Sequence, residues 1–234
     1  MSHPPEQPES GDAVSATSAI LNKYRTATTK MNMTLEESIR ICEHLADEVT
    51  RCGVQYDAIV GIANGALLPT RVIADRLTMP CEFIRLRRQG SSIKSRLSKV
   101  PGMRTLVSWL FGFRAIARTL APIMDRFNKL QTEKTVSETT GFPGDGRVLL
   151  VDDAIDSGQS IVAAQQLLLE RGASVVHTVV MTWSDSQSFD ADCQLDEPEY
   201  WLNRRIQHYP WSGNNPMNGD YKTWLARHDL AEWD

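Results

Sequence analysis

Apolar positions along this chain follow two alternating rhythms. Short apolar runs rich in β-branched residues occur at Tyr56 to Ile62 (YDAIVGI), Cys81 to Arg88 (CEFIRLRR), Val148 to Val151 and Ser174 to Thr182 (SVVHTVVMT). Runs of that length suit strands buried on both faces. Between them the period lengthens to that of a helix. Leu35, Ile39, Cys42, Leu45, Ala46 and Val49 share one helical face up to about Arg51, and Thr34 with Glu37 supplies a capping box at its start. Leu67 to Leu77 predicts a second helix with Pro69 in its first turn, and Gln159 to Glu170 a third, with Gly172 just past its end. Gly219 to Trp233 predicts a short closing helix. Strands alternating with helices imply an α/β fold, a mostly parallel Rossmann-like sheet flanked by helices. His177, inside an apolar run, reads as a structural strand residue rather than a base. The Pro-, Ser-, Thr- and Glu-rich residues 1–30 predict a flexible tail, leaving residues 31–234 as a single domain.

Charge changes that picture in one place. The net charge of −4 argues against general nucleic-acid affinity, yet Arg85 to Lys134 holds 12 Lys and Arg against only Asp125 and Glu133. Within it, apolar residues at 103, 106, 110, 113, 117, 120 and 124 mark one face of a helix, with Arg104, Arg114 and Arg118 grouped opposite beside Phe111. We read residues 89–140 as a large, basic, helical insertion. Four roles stay open for it: a hood over a site, a dimer arm, a packed helix with a solvated basic face, or a peripheral membrane contact through residues 103–124. Four cysteines without CxxC spacing, no apolar leader and no membrane-length apolar run point to a reduced, cytoplasmic protein.

The most specific chemistry lies in Arg147 to Ser160, RVLLVDDAIDSGQS. An apolar strand stops at Asp152 and Asp153, and a small-residue loop leads into a helix, the position at which open α/β sheets carry their sites. Ser157, Gly158, Gln159 and Ser160 place N–H groups and hydroxyls at a helix N-terminus, which suits a phosphate. Phosphate alone needs no acids, whereas ionised Asp152 and Asp153 suit the vicinal hydroxyls of a ribose. Asp156 then faces whatever the sugar carries. A receiver domain also has a strand ending in VLLVDD, but near its start and without the DSGQS continuation.

This stretch resembles the PRPP-binding motif of type I phosphoribosyltransferases: a strand, two acids and an Asp-Thr/Ser-Gly-x-Thr/Ser turn. The resemblance covers roughly residues 55–88 and 145–211 and is closest to the purine enzymes. It implies the type I fold, transfer of 5-phosphoribosyl from PRPP to a small nitrogenous base, and a homodimer or higher oligomer. By the match, Asp152 and Asp153 hold ribose, Ser157 to Ser160 hold the 5-phosphate, and Asp156 is the catalytic residue that takes the base proton. Mg2+ is implied as cofactor, carried mainly on PRPP with Asp152 and Asp153 nearby. Asn64-Gly65-Ala66 before Leu67-Leu68-Pro69 resembles the pyrophosphate loop, with Ala66 in place of a second glycine. Phe83-Ile84-Arg85-Leu86 resembles the hypoxanthine–guanine enzymes and assigns Arg85 and Arg87 to pyrophosphate. Glu199 to Trp211 resembles the acceptor region of xanthine and archaeal hypoxanthine enzymes, where an aromatic-rich strand ends in Pro-Trp. It assigns Trp183, Ile206, Tyr209 and Trp211 to the acceptor, the open alternative being a hydrophobic plug with these rings buried in the core. Against the family pattern, Thr182-Trp183 replaces the Lys that reads a 6-oxopurine. Beside the purine transferase two other readings stay open: a PRPP-sensing regulator, and a transferase with a non-purine, membrane-associated acceptor.

Overall fold

A computed structural model of the chain describes residues 10–86, 146–184 and 196–233. Five strands, β1 (Ala58–Ala63), β2 (Cys81–Arg85), β3 (Arg147–Ile155), β4 (Val175–Trp183) and β5 (Tyr200–Asn203), form one fully parallel sheet in the order β2-β1-β3-β4-β5. The described helices are α1 (Ser10–Arg25), α2 (Leu35–Arg51), α3 (Leu67–Leu77), α4 (Gln159–Glu170) and α5 (Asn218–Arg227). The chain leaves β1 toward β2 on one side and continues from β3 on the other. The crevice beyond the C-terminal ends of β1 and β3 is therefore the sheet's topological switch point, where open α/β sheets bind ligands.

Alternation along the strands decides what each face covers. Ile59, Leu149, Val151, Val179, Met181, Tyr200 and Leu202 join one core with α1, α2, α3 and α5. Val148, Leu150 and Val180, buried but outside that cluster, are the intervening residues of β3 and β4, on which α4 packs. Of the α2 positions predicted from periodicity, Cys42, Leu45, Ala46 and Val49 are buried in the main core, Leu35 and Ile39 pack partly buried against it, and Ile41, outside the predicted set, is buried as well.

Two expectations are corrected and one is supported. Residues 10–25 are not part of a flexible tail but form α1, because Leu21 and Tyr24 reach the core and the Tyr24 hydroxyl donates to Glu37 Oε2 at 2.8 Å. Strand β3 does not stop before the acids; it runs through Asp152 and Asp153 because β4 pairs alongside it as far as Ile155 opposite Trp183. His177 has a partner, the Tyr56 hydroxyl at 2.8 Å from Nδ1, which accords with its structural reading. The basic helix at 103–124, and the insertion around it, lie outside the described residues, and among those described no helix is long and apolar enough to cross a membrane.

The capping box of α2 is present as read. Thr34 Oγ1 accepts from the Glu37 N–H at 3.1 Å, and Glu37 Oε2 accepts from the Thr34 N–H at 2.9 Å. Glu37 also accepts from Lys23 and Tyr24, so this cap ties α1 to α2. Thr34→Ala is expected to destabilise the fold by about 1 kcal/mol, read as a lower urea midpoint at unchanged slope.

Candidate active site

Beyond the end of β1 the backbone makes a tight turn. The Ala63–Asn64 peptide is cis, the Ala66 N–H donates to the Ile62 carbonyl at 3.1 Å, and α3 begins at Leu67. Gly65 lies against Asp153: a Cβ added there would stand 2.6 Å from Asp153 Oδ2 and 2.8 Å from its Cγ. Only glycine permits that approach. The Asn64 side chain is engaged elsewhere, its Nδ2 donating to the Trp233 carbonyl at 2.8 Å and its Oδ1 accepting from the Trp233 N–H at 2.7 Å. Arg85 stands beside this turn, opposite Ala63 in the β1–β2 register; Arg87 lies outside the described residues.

In the last part of β3 the acids are adjacent, Asp152 buried and Asp153 partly so. Asp152, 8% exposed, accepts from the Asp153 N–H at 2.9 Å, and Asp153 Oδ2 accepts from Trp211 Nε1 at 2.6 Å. Burial pushes both carboxyls above the ordinary Asp range. The charge of Asp153 raises Asp152 further, whereas the Trp211 N–H opposes the rise at Asp153. Asp156, exposed, and Ser157 follow at the mouth of the crevice. Gly158, at φ 74°, turns the chain into α4 with no side chain capping the helix. That left-handed conformation favours glycine, and it leaves Ser157 to Ser160 around a helix N-terminus as the sequence implied.

The four residues assigned to the acceptor part company. Tyr209 is 3% exposed, with its hydroxyl 2.6 Å from Thr182 Oγ1 and its ring stacked on Trp211 at 4.9 Å. It offers no face to a base, because a buried phenol needs a partner and Thr182 supplies it. Trp211 turns to Asp153, and half-buried Ile206 packs on the core. Trp183 remains at the end of β4, edge-on to Trp201 at 5.6 Å, with the Arg204 guanidinium 3.8 Å from the Trp183 ring centre and 4.4 Å from that of Trp201.

A profile of the phosphoribosyl transferase domain matches residues 32–206. The chain belongs to that family. No curated protein matches the sequence. Among solved structures, it is similar to a hypothetical protein from Neisseria gonorrhoeae with bound ppGpp, at 17% identity and TM-score 0.52, covering 88% of this chain and 99% of that one. It is also similar to the xanthine-guanine-hypoxanthine phosphoribosyltransferase of Helicobacter pylori, at 12% identity and TM-score 0.50, covering 83% of this chain and 99% of that one. At these identities the likeness is one of fold, and it is the type I fold implied by the sequence.

In this phosphoribosyltransferase, sequence reasoning missed Trp201, Asn203 and Arg204. Their signal was a WLNRR stretch with an aromatic and a guanidinium three residues apart, without a periodicity to mark it. Thr182 Oγ1 donates to Asn203 Oδ1 at 2.6 Å; among the described residues, buried Asn203 Nδ2 and buried Trp183 Nε1 have no partner.

The acid pair gives the phosphoribosyltransferase a pH signature. A carboxyl whose folded pKa lies above its unfolded value contributes its stability below the unfolded value, about pH 4, and loses it as pH rises through the folded one. The free protein is therefore expected to lose stability above pH 4 on account of Asp152, the more strongly raised of the two. Asp152→Asn removes that charge. It is expected to raise the melting temperature at pH 8 by a few degrees, roughly 2–4 °C per kcal/mol, more than at pH 5, while weakening PRPP binding. An equal change at both pH values would show that the pair is not strained by its charge.

Proposed function

We propose that this phosphoribosyltransferase transfers the 5-phosphoribosyl group of PRPP to a ring nitrogen of a purine and releases pyrophosphate. The observation that carries the reading is the approach of Gly65 to Asp153, which brings the loop after β1 against the acid pair of β3 at the switch point. Ser157, Gly158, Gln159 and Ser160, at the start of α4, would take the 5-phosphate. Asp152 and Asp153 would accept hydrogen bonds from the ribose hydroxyls. The main chain of Asn64 and Gly65, with Arg85 alongside, would receive the pyrophosphate, whose charge grows as its bond to C1 breaks. As the new C–N bond forms, the base nitrogen sheds its proton to Asp156.

The acid pair fits Mg2+ as a companion of PRPP: two adjacent, buried carboxyls disfavour holding both charges without a cation, yet two ligands are too few for a protein cage. When bound, Mg2+ neutralises the leaving pyrophosphate. A purine bearing ring nitrogens and an exocyclic oxygen also suits the unpartnered donors Asn203 Nδ2 and Trp183 Nε1. Arg204, its guanidinium packed against the rings of both Trp183 and Trp201, would bring a planar cation to it.

The test is pyrophosphate release from PRPP and Mg2+ across a panel of purines and pyrimidines, with a control lacking base. Release with one purine is expected. Release with a pyrimidine alone would overturn the purine assignment. Silence across the panel, with PRPP still raising the melting temperature, would identify a PRPP-binding regulator instead.

A further inference from the structure

The matched family region ends at residue 206, yet two contacts from beyond it reach the centre of the site. The first is Trp211 Nε1 on Asp153 Oδ2 at 2.6 Å. Its indole is held by the Tyr209 ring, nearly parallel at 10°, and by the Tyr221 ring at 5.7 Å. The second is the pair of hydrogen bonds between the Asn64 amide and the main chain of Trp233. Gly65, next to Asn64, packs on Asp153, so both contacts bear on one junction.

The stretch between the two tryptophans is braced as a unit. Asn218 Nδ2 donates to the Pro210 carbonyl at 3.2 Å, and the Tyr221 N–H donates to the Met217 carbonyl at 3.0 Å to start α5. After α5, the Leu230 N–H returns to the Leu225 carbonyl at 3.0 Å. Asn215 Nδ2 also donates to the Met33 carbonyl at 3.0 Å, fixing the stretch to the body of the fold. One braced segment thus holds the second acid at one end and the pyrophosphate loop at the other.

We propose that residues 207–233 are a positioning element for PRPP, acting through the Trp211 indole N–H on Asp153 and through the Trp233 main chain on Asn64. The proposal rests on the PRPP reading above. It moves Trp211 from the acceptor to the ribose side of the site. A ring alone would fill the space between Tyr209 and Tyr221; the N–H is needed only to fix how the carboxylate is turned. The orientation of the carboxylate in turn sets how its oxygens would meet a ribose hydroxyl. Likewise, an Asn whose amide is spent on main-chain groups sets the loop's position and leaves recognition of pyrophosphate to its backbone.

The experiment is calorimetric titration of the full-length protein with PRPP and Mg2+, alongside steady-state kinetics and melting curves. Trp211→Phe keeps a ring and deletes the N–H. It is expected to weaken PRPP binding about tenfold or more, as loss of a hydrogen bond to a charged group does, and to leave the KM for the base unchanged. Trp233→Pro removes a main-chain N–H that Trp233→Ala retains, so the proline variant is expected to bind PRPP more weakly than the alanine variant. This second comparison decides the matter if Trp211→Phe does not fold. Unchanged PRPP affinity in Trp211→Phe, or a defect confined to the KM of the base, would overturn the positioning role. Wild-type protein that binds no PRPP would instead remove the reading beneath it.

Discussion

Gly65→Ala is expected to cost this phosphoribosyltransferase most of its affinity for PRPP. The added methyl would meet Asp153 Oδ2 at 2.6 Å, Cγ at 2.8 Å and Oδ1 at 3.0 Å, closer than non-bonded atoms tolerate. The carboxylate cannot simply rotate away, because Oδ2 is already held by Trp211 at 2.6 Å. The loop cannot easily lift either, since Asn64 is tied to Trp233 by two hydrogen bonds. One of those contacts must yield. Forced overpacking of this kind costs about 1–3 kcal/mol, and each 1.4 kcal/mol is about tenfold in affinity. A weakening of roughly 10–100-fold is therefore expected by titration with PRPP and Mg2+, with a smaller fall in melting temperature. Wild-type affinity in Gly65→Ala would mean that the loop and the acid are not coupled in binding.

That junction also marks the boundary of what the sequence made legible. Periodicity placed α2, α3, α4 and the central strands, and the Thr34–Glu37 box placed the start of α2, because those signals are local. The motif around Asp152 to Ser160 was legible because strand, acids and helix start are contiguous in the chain. Three features were not. The first thirty residues were read as one composition, which hid the two core contacts of Leu21 and Tyr24 in α1. The acids looked like a strand terminus because polar residues usually end buried runs, whereas pairing with β4 carries β3 past them. For the aromatic tail, composition leaves a stacking surface and a buried plug equally open.

Its actual division follows from hydrogen bonding that sequence spacing does not encode. Tyr209 and Trp211 sit two residues apart and stack on each other, but their polar atoms go to Thr182 and Asp153, on β4 and β3. A buried O–H or N–H must find a partner, so each ring was committed to the strand end that offered one. The charged acceptor candidate, Arg204, comes instead from the stretch just after β5, where Trp183 and Trp201 give its guanidinium two faces. On the proposed reading, the acceptor and PRPP sides of the crevice draw on neighbouring residues of one short segment.

Asp156→Asn separates chemistry from binding more sharply than any other change. Asp156 is exposed and follows directly on β3, and an isosteric amide keeps the side chain's size and an accepting oxygen, so stability is expected to change by about 1 kcal/mol or less. Asp152, Asp153 and the main chain of Gly158 to Ser160, assigned here to ribose and 5-phosphate, are untouched. PRPP affinity should accordingly stay near that of the wild type. What the amide cannot do is accept a proton. If Asp156 takes the proton from the attacking nitrogen, the transition state loses its base, and turnover should fall about 10²–10⁴-fold. Because the loss falls on the bond-making step, kcat and kcat/KM should drop together while the KM values change little. A single-turnover measurement with pre-bound PRPP checks this directly, since it excludes product release from the observed rate. Turnover equal to the wild type would remove Asp156 from the mechanism and leave proton removal to solvent at the mouth of the crevice. A loss of PRPP binding equal to the loss of rate would instead make Asp156 a fourth contact to the sugar phosphate, beside Asp152, Asp153 and the start of α4.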